Sequence, residues 1–408
     1  MRAMKTLSLL ICAALAMLRQ PLPAQTGFTE IYAFGAAPDA QRPGGLVRGP
    51  DGALYGLSGR GGAYGYGTLF RLDPPVSPGT SWTETVLYSF AIPNGNGELG
   101  YFTTPVFGPD GALYGITTYD GTYGAGTAFQ LQPPASPGGA WTETILFNFQ
   151  SPVAYPSLVI GSDGTLYFAT YGGAYGQGMI FALSPPPSPG SPWTEQAIYN
   201  FTGTADGSLP ISLLAGPKGV LYGTTLFGGT YNNGVLFQLT PPQRPRAAWQ
   251  QTVLLNFFID VPNGTPYARV SLYSDGVIYG VFNNGQTLIQ LQPATGGAWT
   301  QTVLCTFSPV GSVLSSQLIL RHGNLYGATD TRKPLGGLGP GGGLFELQKP
   351  ASAGDPWTEV ILHHFQKRDS PSGAIVFDTA GVIYGTTGGS NVAPNSGYAY
   401  QLRLPAGN

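Results

Sequence analysis

Four tyrosines occupy equivalent places in glycine-rich segments of this chain, and their side chains are suited to binding. They are Tyr64, Tyr123, Tyr175 and Tyr231. A tyrosine offers a flat apolar face with a polar tip, which suits sugars or segments of peptide. Repeated aromatic rings also brace neighbouring repeats against one another. The sequence leaves both roles open, and we take the four tyrosines as candidate ligand-binding residues.

Catalytic chemistry has less support in the residue types and their spacing. A pair of carboxylates can cleave a glycosidic bond, and several acidic residues lie in or beside suitable segments. These are Glu98, Asp120, Asp206, Asp260 and Asp330. Nothing in the sequence pairs them. We assign no catalytic residue and no cofactor, and favour a non-enzymatic function.

A metal site is not indicated either. His363 and His364 are neighbours on a predicted strand, so they point to opposite faces and cannot chelate one metal together. Asp-Gly pairs such as Asp51-Gly52 lie between apolar runs, which predicts hairpin turns. A calcium role for these aspartates is disfavoured because Lys218 fills a related position in another repeat. No metal ligand is therefore assigned.

The elements that would position these residues repeat along the chain. A Leu-Tyr-Gly-like segment recurs at intervals of 47 to 59 residues. The copies are centred on Tyr55, Tyr114, Tyr167, Tyr222, Tyr279, Tyr326 and Tyr384. Strand-like repeats of this length indicate a closed ring of small sheets.

Each full repeat contains four predicted strands, and the tryptophan opens the fourth. Each of the six tryptophans has a phenylalanine eight residues later, as Trp141 and Phe149 show. Eight is an even step, so both side chains are predicted on one face of the strand, where they pack on the next sheet.

The two ends of the chain complement each other. The last repeat ends after residues 397–402 without a fourth strand, while residues 28–34 resemble residues 82–90. We therefore predict an all-β fold, a seven-bladed β-propeller of four-stranded blades. Its last blade is closed by the N-terminal strand, which removes open edges between the first and last blades.

The repeat resembles known families. A turn, an aromatic strand ending in Gly-Gly, a further strand and a tryptophan resemble kelch-type propellers. More closely, Leu54-Tyr55-Gly56, the segment Gly61-Gly62-Ala63-Tyr64-Gly65-Tyr66-Gly67-Thr68-Leu69-Phe70 and Val86-Leu87-Tyr88-Ser89-Phe90 resemble the GloVer tandem repeats of exported bacterial proteins. The resemblance covers nearly all of residues 28–403. It implies an exported repeat protein, and it transfers no catalytic residue because the family has no established activity.

The N-terminus and the composition predict where the protein is located and which partners it lacks. Residues 1–24 combine a basic start, a short apolar run and a small residue before a polar one, which predicts a signal peptide cleaved near Ala24. Residues 25–408 are then one propeller domain without a transmembrane segment. Charged residues make up 9% of the chain and the net charge is −2, so no basic surface for nucleic acid is expected.

These observations predict an exported, non-enzymatic propeller that binds a glycan, a peptide or a surface protein at its loops. Two alternatives stay open: a carbohydrate-active hydrolase or lyase on the same ring, and a structural protein of the envelope or matrix. The expected location is secreted, periplasmic or at the surface of a bacterial cell. We expect a monomer whose partners are carbohydrate or protein, not nucleic acid.

Overall fold

The computed structural model describes residues 27–76, 79–91, 104–118, 121–136, 138–153, 158–188, 191–244, 247–258, 269–272, 276–282, 287–295, 299–307, 312–314, 316–331, 342–352, 355–366, 369–388 and 397–404. One complete 3-10 turn, Pro217–Gly219, lies within this part of the chain. No helix within the described residues is long and apolar enough to cross a membrane. The predicted signal peptide, residues 1–24, lies outside the described residues.

The strands form seven antiparallel blades in a ring, and we letter the strands of each blade A to D from the inside outward. The chain begins with β1 (Phe28–Ala33). Blade 1 is β2 (Ala40–Arg48), β3 (Leu54–Gly61), β4 (Thr68–Asp73) and β5 (Thr83–Ser89). Blade 2 is β6 (Val106–Phe107), β7 (Leu113–Ile116), β8 (Thr127–Gln132) and β9 (Thr142–Asn148). Blade 3 is β10 (Leu158–Ile160), β11 (Leu166–Thr170), β12 (Met179–Ser184) and β13 (Thr194–Asn200).

The remaining blades follow the same order. Blade 4 is β14 (Ser208–Ala215), β15 (Leu221–Phe227), β16 (Val235–Thr240) and β17 (Gln250–Asn256). Blade 5 is β18 (Arg269–Leu272), β19 (Ile278–Phe282), β20 (Thr287–Pro293) and β21 (Trp299–Thr306). Blade 6 has a divided inner strand, β22 (Ser312–Leu314) and β23 (Ile319–Arg321), then β24 (Asn324–Thr331), β25 (Gly343–Gln348) and β26 (Thr358–His364). Blade 7 is β27 (Pro371–Phe377), β28 (Val382–Thr387), β29 (Tyr398–Arg403) and, as strand D, β1.

The N-terminal strand closes the ring, as predicted from the sequence. Strand β1 pairs antiparallel with β29 from Phe28 opposite Leu402 to Ala33 opposite Tyr398. The inner strands also meet at this seam: Ser372 Oγ donates a hydrogen bond to the carbonyl oxygen of Pro43 at 2.7 Å. Closure therefore has both an outer and an inner component.

The recurring Leu-Tyr-Gly segment is strand B, and each of its residues has a separate role. In blade 2, Leu113 is fully buried, and the Tyr114 hydroxyl donates to Asp110 at 2.8 Å. A side chain at Gly115 would collide with the ring of Phe129 on strand C. Asp110 also accepts from the backbone N–H of Ala112 at 3.1 Å, so this turn aspartate secures the A–B hairpin.

Every strand D contains one extra residue opposite strand C. In blade 2, Ala128 lies opposite Phe147 and Phe129 opposite Ile145, which leaves Leu146 as a β-bulge. A bulge reverses the side-chain alternation beyond it. The prediction that Trp141 and Phe149 share a face is therefore wrong: Trp141 packs against Tyr55 of blade 1, and Phe149 packs against Phe181 of blade 3.

The tryptophan contact repeats at six of the seven seams between blades. Each tryptophan at the start of strand D lies against the strand B tyrosine of the preceding blade, with ring centroids 5.6 to 6.4 Å apart. The pairs are Trp82–Tyr384, Trp141–Tyr55, Trp193–Tyr114, Trp249–Tyr167, Trp299–Tyr222 and Trp357–Tyr279. The six tryptophans are half-buried.

The phenylalanines that follow strand D form a deeper layer on the opposite side. Each is buried against strand C of the next blade. The ring pairs are Phe34–Phe70, Phe90–Phe129, Phe149–Phe181, Phe201–Phe237, Phe307–Phe345 and Phe365–Tyr400. At the remaining seam Phe257 packs with Ile289. All seven seams thus contain a buried side chain from this position.

Alanine substitutions should distinguish the contributions of the two aromatic layers to the free energy of unfolding. Phe149→Ala should lower the free energy of unfolding by about 3–5 kcal/mol because Phe149 is 1% exposed. Trp141→Ala should cost about 2 kcal/mol, since its ring is half-buried. Denaturant unfolding measures both. Ile145→Ala, at a 42% exposed position on the same strand, is the control, and a Phe149 variant no less stable than that control contradicts the seam assignment.

Removing the closing strand should weaken the whole ring. A chain that starts at residue 35 lacks β1 and Phe34, so blade 7 loses its outer strand and blade 1 loses a buried contact. We expect the melting temperature to fall by about 10 °C or more. Glu30→Gln, at an exposed position of β1, is the matched control. Unchanged melting of the shortened chain would reject closure by β1.

Acid should weaken the seam between blades 6 and 7. His363 stacks on Phe28 of β1 with ring centroids 3.6 Å apart. Burial, with a smaller contribution from His364, lowers the pKa of His363 from 6.5 to about 4. The unfolded chain therefore binds more protons than the folded chain between these values, and stability falls as the pH drops from about 6.5 to about 4.

The measurement is the unfolding free energy between pH 7 and pH 4, compared among the wild type, His363→Phe and His364→Phe. The His363 variant should lose less stability on acidification than the wild type. His364 is exposed, so its variant should follow the wild type. Equal acid sensitivity of the His363 variant and the wild type would contradict this account.

Candidate functional site

The four candidate tyrosines lie in the B–C loops of blades 1 to 4, on the face that also holds the D–A loops. We call this side the loop face. The four loops are residues 62–67, 117–126, 171–178 and 228–234, of which 119 and 120 lie outside the described residues. Each contains a tight turn in which the residue after the tyrosine donates its backbone N–H back across the turn, as Gly124 does to the Gly121 carbonyl oxygen at 3.1 Å.

The turn requires an unusual backbone at the residue after the tyrosine. Gly124 has φ +69°, a region that glycine enters without steric cost. Asn232 follows Tyr231 in the fourth loop with φ +54°, and asparagine tolerates this conformation better than most residues. Four different blades therefore hold a tyrosine in the same local geometry.

The tyrosine side chains project into solvent. Tyr64 is 62% exposed, Tyr123 59%, Tyr175 62% and Tyr231 53%. Most of each ring is free, so these side chains do not brace adjacent blades from within a seam. Their rings and hydroxyl groups are accessible to a partner on the loop face.

A side chain at the end of strand D fixes each loop. The residue before the tyrosine donates its backbone N–H to that side chain, over the same sequence separation in every case. The bonds are Ala63 to Ser89 Oγ at 3.1 Å, Thr122 to Asn148 Oδ1 at 2.8 Å, Ala174 to Asn200 Oδ1 at 2.8 Å and Thr230 to Asn256 Oδ1 at 2.7 Å. We call these four side chains the loop anchors.

The loop anchors were not predicted from the sequence, although a signal exists. Each directly precedes the buried phenylalanine that follows strand D, as Asn148 precedes Phe149. The corresponding positions in blades 5, 6 and 7 are Thr306, His364 and Ala33. Asparagine or serine at this position therefore coincides with a tyrosine in the B–C loop of the same blade.

Blade 4 adds further aromatic surface to the arc. Phe258, 58% exposed, meets the ring of Tyr231 edge to face with centroids 5.0 Å apart. Phe227, at the end of strand B in the same blade, is 39% exposed. The fourth position is therefore a two-ring platform, and among the described residues the exposed aromatic surface of the arc is largest at blade 4.

The four loops carry no lysine or arginine. Their one acidic residue, Asp120, lies outside the described residues, and the nearby carboxylate of Glu143 already accepts a hydrogen bond. Tyr88 donates its hydroxyl to Glu143 of the next blade at 2.9 Å. Burial, followed by the charge of Glu143, raises the pKa of Tyr88, which keeps this hydroxyl protonated as a donor. This carboxylate beside the arc is therefore already hydrogen-bonded within the scaffold.

The described acidic candidates serve the scaffold. Asp206 accepts hydrogen bonds from the Tyr199 hydroxyl at 3.0 Å and from the Thr202 backbone N–H at 2.8 Å, within a D–A loop. Asp330 is 7% exposed and accepts from Ser370 Oγ at 2.9 Å. The two lie in blades 4 and 6, which are not adjacent. Glu98, Asp120 and Asp260 lie outside the described residues.

The histidines lie apart from the arc. His322 is in the A–B turn of blade 6, on the opposite face of the ring, and His363 is in a seam between blades. Among the described residues, no three His, Cys, Asp or Glu side chains are grouped closely enough to hold a metal ion.

Solved structures with a similar fold include proteins of several kinds. A virginiamycin B lyase from Staphylococcus aureus is 14% identical, with a TM-score of 0.54 over 93% of this chain and 100% of the other. The extracellular domain of a proposed one component system from B. thetaiotaomicron is 11% identical, with a TM-score of 0.55 over 93% of this chain and 41% of the other. These similarities establish a shared fold alone.

The search of curated proteins found no match. The sequence model of the Gloeobacter/Verrucomicrobia repeat matches residues 19–170 and 110–334. Together these ranges span residues 19–334, which is most of the 408-residue chain. The matched part contains all four tyrosine loops and the blades that carry them. The chain therefore belongs to the Gloeobacter/Verrucomicrobia repeat family.

Proposed function

We propose that this protein is an exported, non-enzymatic scaffold whose loop face binds a glycan, a peptide or a surface protein. The observation that carries the proposal is the set of four tyrosines, each more than half exposed, held in one loop geometry by four consecutive blades. Exposed large aromatic side chains are costly in water and mark binding surfaces when they cluster.

A rigid support strengthens the proposal. Each tyrosine loop is secured at two points: by its own turn and by the loop anchor on strand D. The strand D end is itself fixed, because the adjacent phenylalanine is buried in the next seam. A partner therefore meets tyrosines whose loops lose little conformational freedom on binding, which favours affinity.

Export brings the protein to that partner. Residues 1–24 direct export and are removed, and residues 25–408 act as one propeller that is secreted, periplasmic or at the bacterial cell surface. The basic start, apolar run and small residue of the N-terminus support this step. Tyrosine loops without lysine or arginine suit a neutral or weakly polar partner more than nucleic acid.

The test is a glycan and peptide array probed with the chain from residue 25. We expect a set of ligands whose binding falls about tenfold or more in a variant with alanine at Tyr64, Tyr123, Tyr175 and Tyr231, because stacking surface is lost at four sites. Four phenylalanine substitutions at the same positions keep the rings and serve as the control.

Three results would contradict the proposed function. Undiminished binding by the alanine variant would place the ligand elsewhere on the molecule. Chemical cleavage of an array glycan, detected by mass spectrometry, would indicate a hydrolase or lyase on the same ring. Absence of any ligand would favour a structural role in the envelope or matrix.

A further inference from the structure

We propose, on the basis of the proposed binding function, that the ligand of the loop face is a neutral polysaccharide chain held by several tyrosine–amide units at once. Each unit consists of a loop tyrosine and the loop anchor of the same blade. The units of blades 2, 3 and 4 contain Asn148, Asn200 and Asn256, and blade 1 contains Ser89 instead.

The loop anchors have a defined hydrogen-bonding polarity. The Oδ1 atom of Asn148 accepts from the backbone N–H and the hydroxyl of Thr122 at 2.8 and 3.2 Å. The Nδ2 atom carries the two donors of the amide and bonds to no protein atom in the described part of the chain. Asn200 and Asn256 are in the same situation, with Oδ1 committed to the loop. All three side chains are half-buried.

This polarity selects the ligand chemistry. Each unit of blades 2, 3 and 4 offers an exposed aromatic ring together with unused N–H donors, so a matching ligand presents a flat apolar face edged by oxygen acceptors. A pyranose has both features in its C–H face and its hydroxyl and ring oxygens. An extended peptide also brings N–H donors, but the fixed acceptor of these three units, Oδ1, is already occupied by the loop.

The electrostatics favour a neutral sugar. None of the four loops contains a lysine or an arginine, and Asp120 is their one acidic residue. The described cations on the loop face, Arg42 and Arg60, both belong to blade 1. Blades 2, 3 and 4 therefore offer an anionic polymer no charge partner along the arc, and desolvating its charges would cost free energy without compensation.

The repetition of the unit indicates a polymer and not a single sugar. Consecutive blades place equivalent units along one arc, and a chain that occupies several of them gains affinity by effective concentration. The units are not equal, because Tyr231 shares its surface with Phe258 in blade 4. Blade 4 therefore contributes most to binding, and loss of Tyr231 weakens binding more than loss of Tyr64.

The experiment measures binding of neutral gluco- and manno-oligosaccharides, from disaccharides to octasaccharides, by titration calorimetry. Affinity should rise about tenfold or more with chain length, and it should not change between low and high salt. An anionic polymer, polygalacturonate, is measured in parallel. Stronger binding of the anionic polymer, or no dependence on oligosaccharide length, would overturn the inference.

Substitutions at Asn148 and Asn200 separate the donor role from the loop-anchoring role. Asn→Asp keeps an oxygen acceptor for the loop but removes the Nδ2 donors, and each such variant should bind about five- to tenfold more weakly. Asn→Ser reproduces blade 1, where Ser89 anchors the loop and carries a hydroxyl donor, so it should recover part of the binding that Asn→Asp loses. Unchanged melting temperatures show that the fold is intact.

The outcomes distinguish this inference from the proposed function. Wild-type affinity in the Asn→Asp variants, with loss of binding in the tyrosine-to-alanine variant, would overturn the tyrosine–amide unit and leave the loop face as the binding site. If only peptides bind, and their binding depends on the tyrosines, the ligand is not a polysaccharide, but the loop face remains the binding site. Binding that is unchanged when the four tyrosines are replaced by alanine would overturn both this inference and the proposed function.

Discussion

The extra residue in every strand D determines how this ring is held together. Seven sheets stand side by side, and each must offer a different apolar side chain to the blade before it and the blade after it. The bulge provides this from one strand by reversing the direction of its side chains midway. The tryptophan side then faces backward and the phenylalanine side forward, so a single strand serves two seams.

The same constraint connects the scaffold to the candidate site. Residues beyond the bulge end at the loop face, where the last of them is buried in a seam and the one before it anchors the tyrosine loop of its own blade. The packing that holds the blades together therefore also orders the tyrosine loops. The seam between blades 6 and 7 has no tryptophan and uses Tyr326 against Phe377 instead, and no tyrosine occurs in the B–C loops of blades 5 to 7. The regular part of the ring and the aromatic arc coincide in blades 1 to 4.

Sequence patterns were sufficient for the architecture because they are carried by residue types with strong local preferences. Glycine next to aspartate marks the hairpins, and the Leu-Tyr-Gly segment marks a strand buried on both faces. The last repeat lacks a fourth strand after residue 402, and an unpaired strand begins at residue 28, so closure of the ring by the N-terminal strand was predictable. The bulge was not predictable from spacing, since Trp141 and Phe149 are an even number of residues apart whether or not Leu146 is paired. The loop anchors were not predictable for a related reason. A polar residue at a strand end, such as Asn148, is common, and its contact with Thr122 is visible only in the structure.

The direction of each strand D side chain is the claim on which this account most depends, and photo-crosslinking tests it directly. Benzoylphenylalanine is placed at position 141 or 149 in separate variants, and the crosslinked peptides are identified by mass spectrometry. The structure predicts that position 141 crosslinks to the blade 1 peptide containing Tyr55 and that position 149 crosslinks to the blade 3 peptide containing Phe181. Crosslinks from both positions to the same neighbouring blade would contradict the bulge and the seams built on it.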